Sequence, residues 1–213
     1  MMLTDWRPSP RALITTGLAL LVAMLGLGGG WFWYSAQQER ANSVHAEALA
    51  RAGAARGGQQ PAAPNAGAAA MQTLETALAQ APGAGLAAQS AYELGGLRFD
   101  AGQYPAARAA YEIAIVKAAS PTIRTLARAA IAAAWEAQQD YPKAIDAYTT
   151  ALSGEGAGQF YFEDLLLGLG RAQELAGRRD EAIQTYKRVL KEIAKPRREP
   201  EVRGRLASLG AAG

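Results

Sequence analysis

Few side chains in this sequence are equipped for chemistry. There is one histidine, His45, and no cysteine. A thiol nucleophile, a disulfide framework, an iron–sulfur cluster and a multi-histidine metal site are therefore excluded. A serine nucleophile needs a base within hydrogen-bond reach, and His45 is the sole histidine to supply one. It stands among alanines and glutamate and reads as an exposed helix residue. Gly168-x-Gly170 has half the form of a dinucleotide-binding loop. Such a loop follows a strand, no strand precedes this one, and Gly170 has a packing role given below. Glu163-Asp164 is an acidic pair at a helix start, where carboxylates favour the helix dipole. The expectation is a protein with no catalytic residue, no cofactor and no metal, hence no enzyme.

The elements that position these residues are helices. Half of the 213 residues are hydrophobic, yet only 8% are aromatic and 19% charged. Alanine accounts for 50 positions and glycine for 23. Alanine is the best helix former and glycine among the poorest, so helices broken by glycine turns are expected. β-Branched residues are sparse, which disfavours a sheet. The fold class is all-α.

Residues 12–34, ALITTGLALLVAMLGLGGGWFWY, hold no charge. As a helix they span about 34 Å, enough for a hydrocarbon core of about 30 Å. Trp31, Phe32, Trp33 and Tyr34 end the run as an interfacial aromatic belt, and Arg11 opens it. Arg7 and Arg11 place residues 1–11 in the cytoplasm and the rest of the chain outside it. The competing reading is a signal peptide cut at Gly28-x-Gly30. Residues 35–52 continue as a membrane-proximal helix. Residues 53–70, rich in Gly, Pro, Gln and Asn without apolar periodicity, read as a flexible linker or loop. A short helix and turn follow at 71–87.

A pattern then recurs. Ala107-x3-Tyr111-x3-Ile115 returns as Ala144-x3-Tyr148-x3-Leu152 and as Ala182-x3-Tyr186-x3-Leu190, at spacings of 37 and 38 residues. Steps of four put each trio on one helical face. Twelve residues before each first alanine lies another small residue: Gly95, Ala132 and Gly170. Each unit is thus two helices, with small residues where they cross and one tyrosine filling the gap. Turns at Gly102–Pro105, Gln139–Pro142 and Gly177–Asp180 join the two helices, and Ser120-Pro121 supplies a cap and first-turn proline for the middle unit. Paired helices at such a period mean a helical solenoid.

These residues resemble the tetratricopeptide repeat, through Leu94-Gly95, Ala107, Tyr111 and Ala114, then Ile131-Ala132, Ala144, Tyr148 and Ala151, then Leu169-Gly170, Ala182, Tyr186 and Val189. The resemblance covers 88–196 as three repeats, 88–121, 125–158 and 163–196. The first-helix tryptophan of the family is replaced by Ala91, Arg128 and Leu166, and the period exceeds the family's roughly 34 residues. Residues 197–213 form a basic capping helix and tail. The resemblance implies a concave groove lined by first helices, which here brings Tyr92, Phe99, Asp100, Glu136, Asp164, Arg171 and Glu174 to the partner-binding face. The carboxylate clamp of chaperone-docking repeats is absent. A single N-terminal span followed by about three repeats is similar to the membrane-anchored tetratricopeptide ancillary subunit of the bacterial Sec translocon.

Charge is unevenly spread. Residues 178–213 carry ten basic and five acidic groups, against ten and thirteen over 35–177. The acids interleaved in the basic tail, and the lack of stacking aromatics beside it, favour a solvated face over a nucleic-acid surface. The expected partners are proteins (subunits of a membrane complex, periplasmic chaperones or extended polypeptide segments) and membrane lipid through 12–34, with neither nucleic acid nor a small-molecule substrate. Two functions remain open. One is a periplasmic module that holds chaperones or emerging chains near the translocon in the inner membrane. The other is a structural subunit or assembly factor of another inner-membrane complex.

Overall fold

The computed structural model describes residues 10–57, 65–153, 156 and 158–211, with side-chain surroundings for all of these except 10–23 and 26. Among the described residues the chain forms nine helices and no strand: α1 (Pro10–Gly57), α2 (Ala66–Gln80), α3 (Ala87–Asp100), α4 (Tyr104–Lys117), α5 (Pro121–Ala137), α6 (Tyr141–Leu152), α7 (Phe162–Leu175), α8 (Arg179–Glu192) and α9 (Glu199–Ser208). Each helix packs on the next, and the first helices of successive pairs also touch, α1 on α3, α3 on α5 and α5 on α7. That is the stacking of a helical-hairpin solenoid. The pairs α3–α4, α5–α6 and α7–α8 occupy the three stretches where the tyrosine pattern recurs.

In the N-terminal third the expected continuation of 12–34 into 35–52 is found, and the departure lies in the predicted linker. Residues 12–34 and 35–52 belong to one continuous helix, α1, which no proline interrupts after Pro10. Residues 53–57 complete that helix and 66–70 open α2, so the predicted linker over 53–70 is helical at both ends; 58–64 lie outside the described residues. Packing explains this. Ala70, Leu74 and Ala77 of α2 are buried in one cluster with Ala48 and Ala52 of α1 and Leu94 and Leu97 of α3. Alanines let the two backbones approach closely, so α1 and α2 make an additional hairpin in front of the first repeat. Among the described residues no helix is long and apolar enough to cross a membrane. The predicted span over 12–34 rests largely on residues 12–23 and 26, whose side chains lie outside the described residues.

The turns inside the repeats have one geometry. Gly102, Gln139 and Gly177 all sit in the left-handed region, with φ of 73°, 61° and 73°. Each follows a first helix and closes it with the same two bonds. Gly102 N–H donates to Phe99 O and Gln103 N–H to Arg98 O, at 2.9 and 2.8 Å, and the pattern recurs at Gln139–Asp140 and Gly177–Arg178. This is the Schellman closure, which needs a positive φ at its middle residue. Asp140 caps α6 by accepting from Lys143 N–H at 3.3 Å. Ser120 occupies the N-cap of α5, but its side chain makes no capping bond; Pro121 alone marks that start. The end of the solenoid is closed by α9, whose Val202 and Leu206 are fully buried against Tyr186, Val189 and Leu166.

Candidate functional site

Glycines and tyrosines set the spacing of the first helices. A Cβ built on Gly95 would lie 2.5 Å from the Tyr111 ring, and one on Gly170 would lie 2.7 Å from the Tyr186 ring. Real Cβ atoms do not approach so closely, so each ring lies flat on bare backbone. Gly168 receives Tyr148 from the preceding repeat in the same way, at 2.5 Å. Gly168-x-Gly170 is therefore a pair of ring sockets on α7, facing two different repeats, and not a phosphate loop.

The first helices line a concave cleft of about 320 Å³. Leu126, Ala129 and Ala133 of α5 and Gly168 of α7 form its apolar floor, and Tyr92, Tyr148 and Tyr161 supply its aromatic walls. Its charges are matched internally. Arg171 forks onto Glu136, with Nε on Oε1 at 2.6 Å and Nη2 on Oε2 at 3.1 Å. Two parallel bonds of this kind are the stronger form of ion pair, and they raise the Arg171 pKa. The Tyr148 hydroxyl donates to Glu136 Oε2 at 3.2 Å; burial, then the Glu136 charge, pushes that hydroxyl above the ordinary tyrosine range. Asp164 is held by Arg197 at 2.8 Å and Arg198 at 3.2 Å. The cleft presents tyrosine rings, an apolar floor and the edges of Arg171 and Arg198.

Of the predicted groove residues, Tyr92, Asp164 and Arg171 line this cleft and Glu136 anchors Arg171. Phe99, Asp100 and Glu174 go elsewhere. Phe99 packs edge-on to Tyr104 with centroids 5.3 Å apart. Asp100 and Glu93 grip Arg56 at the end of α1, at 3.0 and 2.7 Å. Glu174 accepts the Tyr186 hydroxyl at 2.5 Å and pairs with Arg205 of α9 at 3.5 Å. The helical period places these three beyond the cleft, Phe99 and Asp100 two turns past Tyr92 and Glu174 one turn past Arg171, toward the C-terminal ends of their helices. Tyr148, Tyr161 and Arg198 are cleft residues that the repeat alignment does not reveal. For Tyr148 the signal was in the sequence: Gly168 is one more bare position than the socket for Tyr186 requires.

His45 is not the exposed residue expected from its neighbours. It is fully buried, and its ring joins three segments: Nδ1 lies 2.8 Å from Ser90 Oγ on α3, and Nε2 lies 2.9 Å from the Ala81 carbonyl after α2. A carbonyl only accepts, so Nε2 carries the proton. The histidine–serine contact has the reach of a base and its nucleophile, but Ser90 is also fully buried. The pair ties α1 to the solenoid. Glu163 is likewise structural. Its carboxylate, 4% exposed, accepts the backbone N–H groups of Arg197 and Arg198 at 3.0 and 2.7 Å. The predicted basic patch is largely paired: Arg197 and Arg198 with Asp164, Arg203 with Glu199, Arg205 with Glu174 and Arg188 with Glu192.

At the other end of the molecule, Trp31, Phe32, Trp33 and Tyr34 are exposed on α1, at 75%, 75%, 66% and 56%. Arg11, predicted to open the membrane interface, falls among the residues whose side chains are not described.

The family model described as Tetratricopeptide repeat-like domain matches residues 6–211. A search of curated proteins finds no match to the chain. Folds of this kind mediate contacts between proteins, and a solenoid with a concave cleft of matched charges suits that role. With stacked hairpins, tyrosine-on-glycine sockets and a match across nearly its whole length, the chain belongs to the tetratricopeptide repeat-like family.

Proposed function

We propose that this protein is a single-pass, periplasmic-facing interaction module of the bacterial inner membrane, ancillary to the Sec translocon and its periplasmic chaperones. It acts by contact alone, with no enzymatic step, and takes an extended, partly apolar segment of a secretory chain or chaperone in the cleft between Tyr92 and Arg171. The observation that carries this reading is the character of α1. Its C-terminal half is locked into the solenoid through His45, Ala48, Ala52 and Arg56. On α1 Met24, Leu25, Leu27, Trp31, Phe32, Trp33 and Tyr34 are exposed and present an apolar and aromatic collar. That collar continues the uncharged run 12–34, and amphipathic rings favour the headgroup region.

The test uses the full chain in a bacterial host. Because the chain lacks cysteine, Ser208→Cys gives a single label site, at an exposed position of α9. Membrane retention after alkaline wash, labelling by an impermeant maleimide from the periplasm, and co-purification of translocon subunits and chaperones in mild detergent are expected. A chain released without detergent, or labelled only from the cytoplasm, overturns the anchor and its orientation. Stoichiometric recovery with a different membrane complex overturns the Sec assignment.

A further inference from the structure

Helix α1 leaves the solenoid from one particular edge. It runs parallel to α3: Asn42 Oδ1 accepts the Leu86 N–H at 3.4 Å, His45 meets Ser90 at 2.8 Å and Arg56 reaches Asp100 at 3.0 Å. The collar at Trp31–Tyr34 therefore projects beyond the N-terminal end of α3. The same edge carries the α2–α3 turn, the C-terminal end of α4 and the N-terminal end of α5. Lys117, which ends α4, donates to Pro82 O in that turn, and Arg124, in the first turn of α5, donates to Ala118 O, each at 2.6 Å. Eight residues separate Tyr34 from Asn42, about 12 Å of helix.

Composition singles this edge out. Residues 76–92 hold no charge, and 113–135 hold Lys117, Arg124 and Arg128 without an aspartate or glutamate. Lys117 and Arg124 bond to carbonyls, which leave their positive charges unneutralised. Val116, on the last turn of α4, is 85% exposed, and Ala119, Pro121 and Thr122 beside it are exposed as well. The opposite edge, where α3 turns into α4 and α5 into α6, carries the acids Asp100, Glu136 and Asp140.

We propose that this edge rests on the bilayer surface, with Lys117 and Arg124 drawn to the phosphates of anionic lipid headgroups and Val116 set among them. The inference rests on the anchored reading of α1 given above. Two observations select lipid as the occupant. The helix that bears the collar leaves from this edge, and an acid-free cationic edge complements an anionic surface. That attraction acts over about a Debye length, roughly 8–10 Å, and a tilt of about 20°, ordinary for a spanning helix, narrows the 12 Å gap. Lys117 keeps two N–H donors for phosphate. The contact holds the cleft at one attitude to the membrane.

The test uses the full chain reconstituted in pure lipid vesicles, with a fluorophore on a single introduced cysteine. Ala119→Cys marks the proposed edge and Gln103→Cys, exposed in the α3–α4 turn, marks the opposite one. In vesicles containing phosphatidylglycerol, quenching by a headgroup nitroxide should be about threefold stronger at the Ala119 position. Phosphatidylcholine vesicles or high salt should remove most of that difference. Lys117→Gln and Arg124→Gln should each lower the docking equilibrium about fivefold, with helicity unchanged by circular dichroism. A chain that washes off the vesicles overturns the anchor and this contact together. A retained chain with equal quenching at the two positions overturns the contact alone. Strong quenching at the Ala119 position that ignores lipid charge, salt and both substitutions also overturns it, since α1 by itself then holds the edge near the surface.

Discussion

In the third repeat Tyr186 lies against Gly170 and donates to Glu174, which also pairs with Arg205 of α9. In the first repeat Tyr111 lies against Gly95 in the same way, but the position twelve residues before the tyrosine is Phe99 instead of glutamate. The second repeat follows the third, with Tyr148, Glu136 and Arg171. Arg171 falls at the register of Ala133 in the preceding unit, so the first repeat has neither the acid nor its arginine. Each tyrosine has a glycine socket, within its own repeat for Tyr111 and Tyr186 and on the next repeat, at Gly168, for Tyr148. The polar clasp is present only where the next unit brings a guanidinium to pair with the acid, because a half-buried carboxylate without a partner costs more than an aromatic ring in its place.

The largest effect should be the one that both repeats share. Gly95→Val and Gly170→Val each force side-chain atoms into a ring already 2.5–2.7 Å from the Cβ position. Neither tyrosine has room to swing aside, since both are buried. Each substitution should cost about 3 kcal/mol, read as a fall in the midpoint of urea unfolding. If one of the two were tolerated, the sockets would not be equivalent.

Glu163 sharpens the contrast between the ends of the solenoid. Its counterpart in the first repeat is Ala88, also buried. Removing a buried carboxylate that accepts two backbone N–H groups should cost about 2–3 kcal/mol. Glu163→Ala should thus destabilise the chain and raise hydrogen exchange over 199–208 before it does so over 87–117. Uniform loss of protection would mean that α9 is not a separate latch.

Tyrosine-to-phenylalanine exchanges isolate the clasp from the socket. Tyr186→Phe should cost about 1–2 kcal/mol, a hydrogen bond to a charged group, whereas Tyr111→Phe should change stability by only a few tenths. The pH dependence has a definite sign. Burial first, then the bond to Glu174, raises the Tyr186 hydroxyl above its ordinary value. Its contribution is complete below the unfolded value of about 10 and is lost as pH rises through the higher folded value. Thermal stability should fall above pH 10, and less steeply in Tyr186→Phe. Equal slopes in parent and variant would place the alkaline transition elsewhere.

The repeats were legible because their signals are local and steric. Tyrosine at Ala-x3-Tyr, with glycine or alanine twelve residues before the alanine, is a packing rule written into one chain three times. The α1–α2 hairpin was not legible. It packs through Ala48, Ala52, Ala70 and Ala77, and alanines spaced around a helix give no amphipathic contrast against an alanine-rich background. His45 was misread for a related reason. Its neighbours suggest solvent, while its partners Ala81 and Ser90 lie 36 and 45 residues away. The same distance hid the use of Glu163, whose acceptor role depends on backbone 34 and 35 residues later. Groove residues transferred by register were placed on the correct helices, but about 12 Å of helix axis separates Tyr92, in the cleft, from Asp100, and about 5 Å separates Arg171 from Glu174, and both acids go to other partners.

The middle repeat departs from both its neighbours at one backbone position, and the smallest prediction concerns it. The first-helix closures place Gly102 and Gly177 at φ of 73°, where glycine is at ease, but they place Gln139 at 61°. A side chain with a Cβ carries a cost of about 1 kcal/mol there, while Gln139 N–H still donates to Glu136 O at 2.8 Å as its counterparts do. Its own side chain is exposed, so its removal loses little packing. Gln139→Gly should therefore stabilise the chain by about 0.5–1 kcal/mol, the relief of strain exceeding the added entropy of the unfolded glycine. The reverse exchange, Gly102→Gln, should destabilise by a similar amount. A destabilising Gln139→Gly would show that the glutamine contributes something the two glycine turns do without, and would separate the middle repeat from the outer two in function as well as in geometry.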